Sequence, residues 1–154
     1  MKKQFDILKI TRANILKEIE ELSAAALFKI PSGFNNNIIW NTMHVIASQQ
    51  LLMYGLSQTP FRIDKEIIMA FKSGTTPTEE IKPELIQFAK NHLLTTPTQL
   101  EEDYQNQIFG DAFKSVTLSY GMTLNNLEDA IYFNNIHEAM HLGQIKMLKQ
   151  CIKI

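Results

Sequence analysis

Residues 124–152 read LNNLEDAIYFNNIHEAMHLGQIKMLKQCI, a stretch with no proline and one glycine, Gly143. At alternating steps of three and four it carries Leu124, Leu127, Ile131, Asn134, Glu138, His141, Ile145, Leu148 and Ile152. That is the period of one face of an α-helix. Asn125 followed by Glu128 supplies a start signal, so the spacing predicts a helix over 125–152. The stripe is aliphatic at both ends and polar in the middle. Each unpaired polar group buried at mid-helix costs ~1–3 kcal/mol. A bundle built on this helix must therefore be open and wet there, or bind something.

Three other stretches share the helical period. Residues 4–28 align Phe5, Leu8, Arg12, Ile15, Ile19, Leu22 and Ala26. Residues 37–57 align Trp40, His44, Ala47, Leu51 and Tyr54, after a loop with Pro31, Gly33 and three Asn able to cap the helix start. Residues 83–95 continue a stripe of Ile81, Leu85, Phe88 and His92. The 58–77 connection holds Pro60, Gly74 and Pro77 and predicts one helical turn over Asp64–Lys72. Thr76-Pro77-Thr78-Glu79 has the form of a capping box, and Thr96-Pro97-Thr98-Gln99 repeats it, predicting a separate short helix to about Gln105. Residues 106–123 read as an irregular loop. There is no internal repeat and no βαβ alternation. The expectation is all-α: one domain over 1–154, an antiparallel up-and-down four-helix bundle with short extra helices in long connections. In that alternation the second and last helices run parallel. The pocket mouth is then expected at the end carrying loops 30–37 and 106–123, with Phe113 and Tyr120 at its rim.

Composition narrows the function. Fifteen Lys+Arg against 16 Asp+Glu leave a net charge near −1, with no basic footprint for nucleic acid. No apolar run approaches the ~20 residues that cross a bilayer. Asp6 and Lys9 interrupt any leader-like apolar run at the N-terminus. A single cysteine, Cys151, forms no internal disulfide and fits a reducing compartment. The expected setting is the cytoplasm, the expected partner a small-molecule substrate.

The chemistry lies in the histidines. His137 and His141 are one helical turn apart, ~6 Å along the axis and ~40° around it, so two imidazoles can share one cation. His44 interrupts the second stripe in the same way. Three histidines on two core-facing stripes match an open, catalytic type of metal site, and imidazole ligands suit Zn, Ni, Cu or Fe. His137-Glu138-Ala139-Met140-His141 also matches the H-E-x-x-H of zinc peptidases. Against that reading, the 13 residues after His141 contain no His, Asp or Glu to serve as a third ligand.

With His44 on the second helix and His137-Glu138-Ala139-Met140-His141-Leu142-Gly143-Gln144-Ile145 on the last, the chain resembles the DinB-like superfamily over nearly its whole length. The 71–78 connection and the Tyr120-Gly121-Met122-Thr123-Leu124 lead-in also carry the resemblance. It implies a four-helix bundle binding one divalent metal, Zn or Ni foremost, through His44, His137 and His141. It further implies a thiol-dependent transferase or small-molecule hydrolase, a low-molecular-weight thiol as one candidate cosubstrate, and a homodimer. A non-enzymatic metal-binding stress or interaction module is the alternative.

The remaining candidates have two readings each. Glu138 can act as a general base, or pair with a cation such as Arg12. Asn134 and Gln144 lie one turn either side of the histidines, as ligand contacts or as packing. Arg12 is expected to snorkel to the rim. His92, lacking a ligand-spaced partner, reads as structural, and Cys151 as too distant to act as a nucleophile. Met43, Met53, Met69, Met122, Met140 and Met147 read as core filler.

Overall fold

The computed structural model describes residues 1–119 and 121–152. Six α-helices and a two-stranded hairpin make up the fold: α1 (Lys2–Ile19), α2 (Ala24–Phe28), α3 (Ile38–Gln49), α4 (Lys65–Phe71), α5 (Pro83–Gln105), β1 (Val116–Thr117), β2 (Thr123–Leu124) and α6 (Leu127–Ile152). No helix among the described residues is long and apolar enough to cross a membrane.

Local chemistry explains most boundaries. Asn37 accepts the Trp40 N–H and starts α3, as the run of Asn predicts. Asp64 caps α4 through the Glu66 N–H. α3 passes directly into a π-helical segment, Gln50–Gly55. The predicted 4–28 helix is broken at Glu20–Ser23, where the Ser23 hydroxyl accepts from Ala26 N and starts α2. The last helix starts one residue later than its first apparent cap. Asn126 Oδ1 accepts from Asp129 N, and Asp129 returns a carboxylate to Asn125 N.

Two start signals work differently from their sequence reading. Thr76–Glu79 starts no helix. Glu79 Oε1 accepts from Ile30 N, and the Thr78 carbonyl accepts from Asn37 Nδ2, tying this connection to the 30–37 loop. Pro97 ends no helix either, since α5 runs through it without a break. A mid-helix proline costs ~3 kcal/mol by clash and a lost bond. Here both Thr96 and Pro97 are buried, and the Thr96 hydroxyl donates to the His92 carbonyl. Tertiary packing overrides the local penalty.

The four-helix bundle is present, but its long helices run up, down, down, up. α1 and α6 are parallel: Asn135 meets Gln4 near one end, and Lys149 meets Glu18 near the other. α3 and α5 are also parallel, through Gln49–Thr96 and Tyr54–Asp103. α3 and α6 are antiparallel, His44 facing His137 and Asn41 facing His141. Parallel neighbours cannot be joined by a tight turn, which explains the long connection between α3 and α5 and the α4 helix within it.

Two apolar clusters fill the bundle. One holds Ile15, Ile19, Phe28, Met43, Leu93 and Ile145; the other holds Phe5, Leu8, Tyr54, Leu100 and Ile131. Along the chain they are separated by Arg12 in α1, Gln49 in α3, Thr96 in α5, and Asn134 and Glu138 in α6, all buried. The polar middle of the last stripe is thus one side of a belt crossing the whole bundle. Arg12 does not snorkel: it is 0% exposed. Of the methionines, Met43 and Met53 are buried, whereas Met69, Met140 and Met147 stand exposed.

Candidate metal centre

α3 and α6 cross with three imidazoles between them. His137 Nε2 lies 3.3 Å from His44 Nε2 and 3.1 Å from His141 Nε2. One ligating atom from each ring falls within 4.8 Å of the others. Two of the three tautomers are set by acceptors behind the rings. His44 Nδ1 is 2.7 Å from the Phe71 carbonyl, which can only accept, so the hydrogen is on Nδ1 and Nε2 keeps its lone pair. His141 Nδ1 is 2.8 Å from Asn41 Oδ1, and Asn41 Nδ2 is committed to the Asn37 carbonyl. Asn41 therefore presents its oxygen, and His141 Nε2 also keeps its lone pair. His137 has no such partner; its buried Nδ1 is unsatisfied, and the ring stacks on Phe133 at 5.8 Å. Trp40 stacks on His44 at 4.7 Å, held by its own bond to Thr75 Oγ1.

The Nε2 lone pairs of His44 and His141 converge on His137 Nε2, so what lies between them is either the His137 ring hydrogen or a shared cation. Burial makes protonation costly. It pushes His137 down to about 4, with His44 and Arg12 adding to the shift, and His141 down to about 3, with His137 and His44 adding. Burial lowers His44 too, partly opposed by its bond to Phe71. At neutral pH the three rings are neutral donors. Nitrogens bound ~2.05 Å from a tetrahedral ion lie about 3.3 Å apart, close to the 3.1 and 3.3 Å seen here. The donor set and its spacing fit a divalent metal.

A family model of the DinB superfamily matches residues 7–145. The chain belongs to the DinB superfamily. Curated proteins give no match to it. The three histidines that the sequence singled out in this DinB protein are the ones that come together, and among the described residues they form the group able to hold an ion.

The other candidates divide. Glu138 is not in that group. Arg12 Nε reaches its Oε2 at 2.5 Å and Arg12 Nη2 its Oε1 at 2.8 Å, and Asn134 Nδ2 donates to Oε1 at 2.7 Å. Both carboxylate oxygens face the belt, the second of the two readings its position allowed. Asn134 thus touches Glu138, while its own Oδ1 and Gln144 Oε1 are buried without partners. His92 is bonded to the Phe88 carbonyl and stacked on Phe88, a structural role. Cys151 lies outside the group, and Tyr120 lies outside the described residues.

A pocket of about 250 Å³ opens beside the cluster, touching His44 and His137. Its walls come from α3 and the π-helical segment, from Phe133, from Ser73 in the connection before α5, and from Leu118 and Ser119 in the hairpin. The long 106–123 loop does shape the mouth, as expected, but the 30–37 loop does not, because α3 and α6 are antiparallel. Phe113 lines a different hollow, of about 540 Å³, at the start of α6. Sequence reasoning missed Asn41 and Ser48. Both lie one turn from His44 on the same helix, and that spacing was the available signal.

Proposed function

We propose that this DinB protein is a metal-dependent enzyme acting on a small molecule, with one divalent ion, Zn or Ni foremost, held by His44, His137 and His141. The observation that carries the reading is the convergence of three Nε2 atoms, two of them stripped of hydrogen by acceptors behind the ring. Such acceptors orient metal-bound histidines and raise their basicity. A bound ion would supply Lewis acidity, lowering the pKa of a ligated water or thiol toward neutrality. The chain's own part is to hold the rings, keep them neutral and admit a ligand from the adjoining pocket. A thiol-dependent transferase or a small-molecule hydrolase fits this arrangement. The pocket favours an enzyme over a purely structural or interaction module, in which the ion would be enclosed.

The H-E-x-x-H peptidase reading is weaker. There the glutamate serves as general base, and here both oxygens of Glu138 are engaged by Arg12 and Asn134. The test is metal content of untagged protein purified without nickel resin, beside His44→Ala. One equivalent in the wild type is expected, with affinity largely lost in the variant, because two ligands on one helix make a poor site. A variant that binds one equivalent as tightly as wild type overturns the triad. Thiol-transfer and hydrolysis screens, with and without metal, then separate enzyme from binding module.

A further inference from the structure

A separate cavity, of about 260 Å³, lies where α3, α4 and the start of α5 meet the 76–78 stretch. Phe28, Ile39, Trp40, Ile67, Phe71 and Leu85 give it an apolar wall, and among the described residues Lys82 is the one charged group lining it. The walls are fixed by the rest of the fold. Phe28 and Ile39 belong to the buried core. Asn37 Nδ2 holds the Thr78 carbonyl at 2.8 Å, and Trp40 Nε1 donates to Thr75 Oγ1 at 3.1 Å. A preformed apolar hollow with few polar groups set in it is the usual form of a small-molecule site.

Size and charge define the occupant. At the ~30 Å³ that a water molecule occupies in the liquid, the cavity has room for roughly eight or nine non-hydrogen atoms. Lys82 pairs with Glu80 at 3.3 Å, but the two side chains are 40% and 71% exposed, and such a pair contributes little in water. The ammonium can exchange Glu80 for a carboxylate whose alkyl tail leaves water for the cavity. One lysine matches one negative charge.

Two of the walls also hold His44. The Trp40 indole stacks on its ring at 4.7 Å with the planes 8° apart, and the Phe71 carbonyl takes its Nδ1 hydrogen at 2.7 Å. An occupant packed on Trp40 and Phe71 restrains both, and so reduces the freedom that His44 must lose when it ligates an ion. We propose that this cavity is a second ligand site, taking a compact aliphatic monocarboxylate, and that its occupant tightens metal binding by fixing Trp40 and Phe71 against His44. The site rests on the cavity alone; the link to His44 rests on the metal reading given above.

Trp40 is the chain's one tryptophan, so its emission reports on the cavity. The experiment titrates metal-free full-length protein with hexanoate and hexanamide at constant ionic strength. The two probes match in shape and size and differ in charge. Hexanoate is expected to shift the emission saturably and to bind about threefold more tightly than hexanamide. Lys82→Gln should remove that preference. Ala70→Leu, which enlarges an exposed wall residue on α4, should weaken both probes about fivefold or more by filling the cavity. No saturable shift, or hexanoate affinity unchanged in Ala70→Leu, overturns the site; hexanamide binding as tightly as hexanoate overturns the carboxylate head. In a chelator competition, saturating hexanoate should raise zinc affinity about fivefold in wild type and leave Ala70→Leu unchanged. Unchanged or lower affinity in wild type, or the same rise in both proteins, overturns the link to His44. A wild type that binds no zinc ends the metal reading and the link together, while the metal-free titration still decides the cavity.

Discussion

Glu138→Gln is the substitution that best separates a structural carboxylate from a catalytic one. Arg12 and Glu138 are both 0% exposed, and the guanidinium also reaches the Val45 carbonyl at 2.9 Å and Gln49 Oε1 at 3.1 Å. Glutamine keeps the shape but removes the charge, leaving an uncompensated buried cation. Breaking one partner of a buried pair costs about 3–5 kcal/mol, a large part of the ~5–15 kcal/mol that holds a domain of this kind folded. Arg12→Met should cost a similar amount by orphaning the carboxylate. The double variant removes both charges at once, so it should be less destabilised than the sum of the singles by at least ~2 kcal/mol. It will not be neutral, because Gln49 Oε1 and the Val45 carbonyl lose the guanidinium, a partner worth ~1 kcal/mol to each. Urea unfolding of the four proteins reads the cycle through shifts in midpoint. Folded Glu138→Gln should bind a full equivalent of zinc, since the carboxylate faces the belt. Additive costs within ~0.5 kcal/mol, or loss of zinc from a folded variant, would refute this account of Glu138.

Three further outcomes are expected. Asn41→Ala, which removes the acceptor behind His141, should lower metal affinity ~10–100-fold in a chelator competition while all three ligands remain; unchanged affinity removes Asn41 from the site. Asp103 accepts from Tyr54, from Gln99 and, through both oxygens, from Arg62; burial raises its pKa, but these bonds outweigh burial and hold it below its ordinary value. Its stabilisation is therefore complete above the unfolded pKa and lost as pH falls through the folded one, so Asp103→Asn should cost ~1.5–3 kcal/mol at pH 7 and progressively less below about pH 4; a gap constant from pH 7 to pH 3 contradicts the linkage. For the homodimer we propose the outer face of α6, where Tyr132, Ile136, Met140 and Met147 stand exposed around Ala139 and Gly143; antiparallel pairing about a two-fold sets the Glu128–Asp129 end of one helix against the Lys146 end of its partner. Met140→Glu should then sediment as a monomer where the wild type is a dimer, and a monomeric wild type ends the proposal.

Legibility in the sequence tracks the range of the interactions. The α6 stripe with its polar middle, and the matching break at His44, are local periodicities, so the all-helical fold and the three histidines were visible in the chain alone. Helix direction was not. The loop between the first two long helices requires only that they be antiparallel, and nothing local in the 58–82 stretch states that the chain crosses the bundle before α5 begins. Pro97 misled for the same reason: its penalty is local, and the packing that overrides it comes from neighbouring helices. Arg12 was placed on the core stripe by its spacing and offered as one partner for Glu138, but the pair joins helices 126 positions apart, and no pattern along α1 alone shows that the guanidinium stays buried instead of snorkelling.

The same separation of scales explains how the centre is held. A histidine pair at i, i+4 is cheap for a helix to present, but neutral tautomers with their lone pairs facing one another are not. That orientation depends on Asn41, presented by α3 one turn before His44, and on the Phe71 carbonyl at the end of α4. α4 sits in the connection required by parallel α3 and α5, so the crossover that sequence patterning left unread delivers the acceptor for His44. The same connection brings Ser73 to the pocket mouth. The up-down-down-up order is therefore part of the site: an alternating bundle with a short turn after α3 would present the three histidines without the backbone carbonyl that frees His44 Nε2.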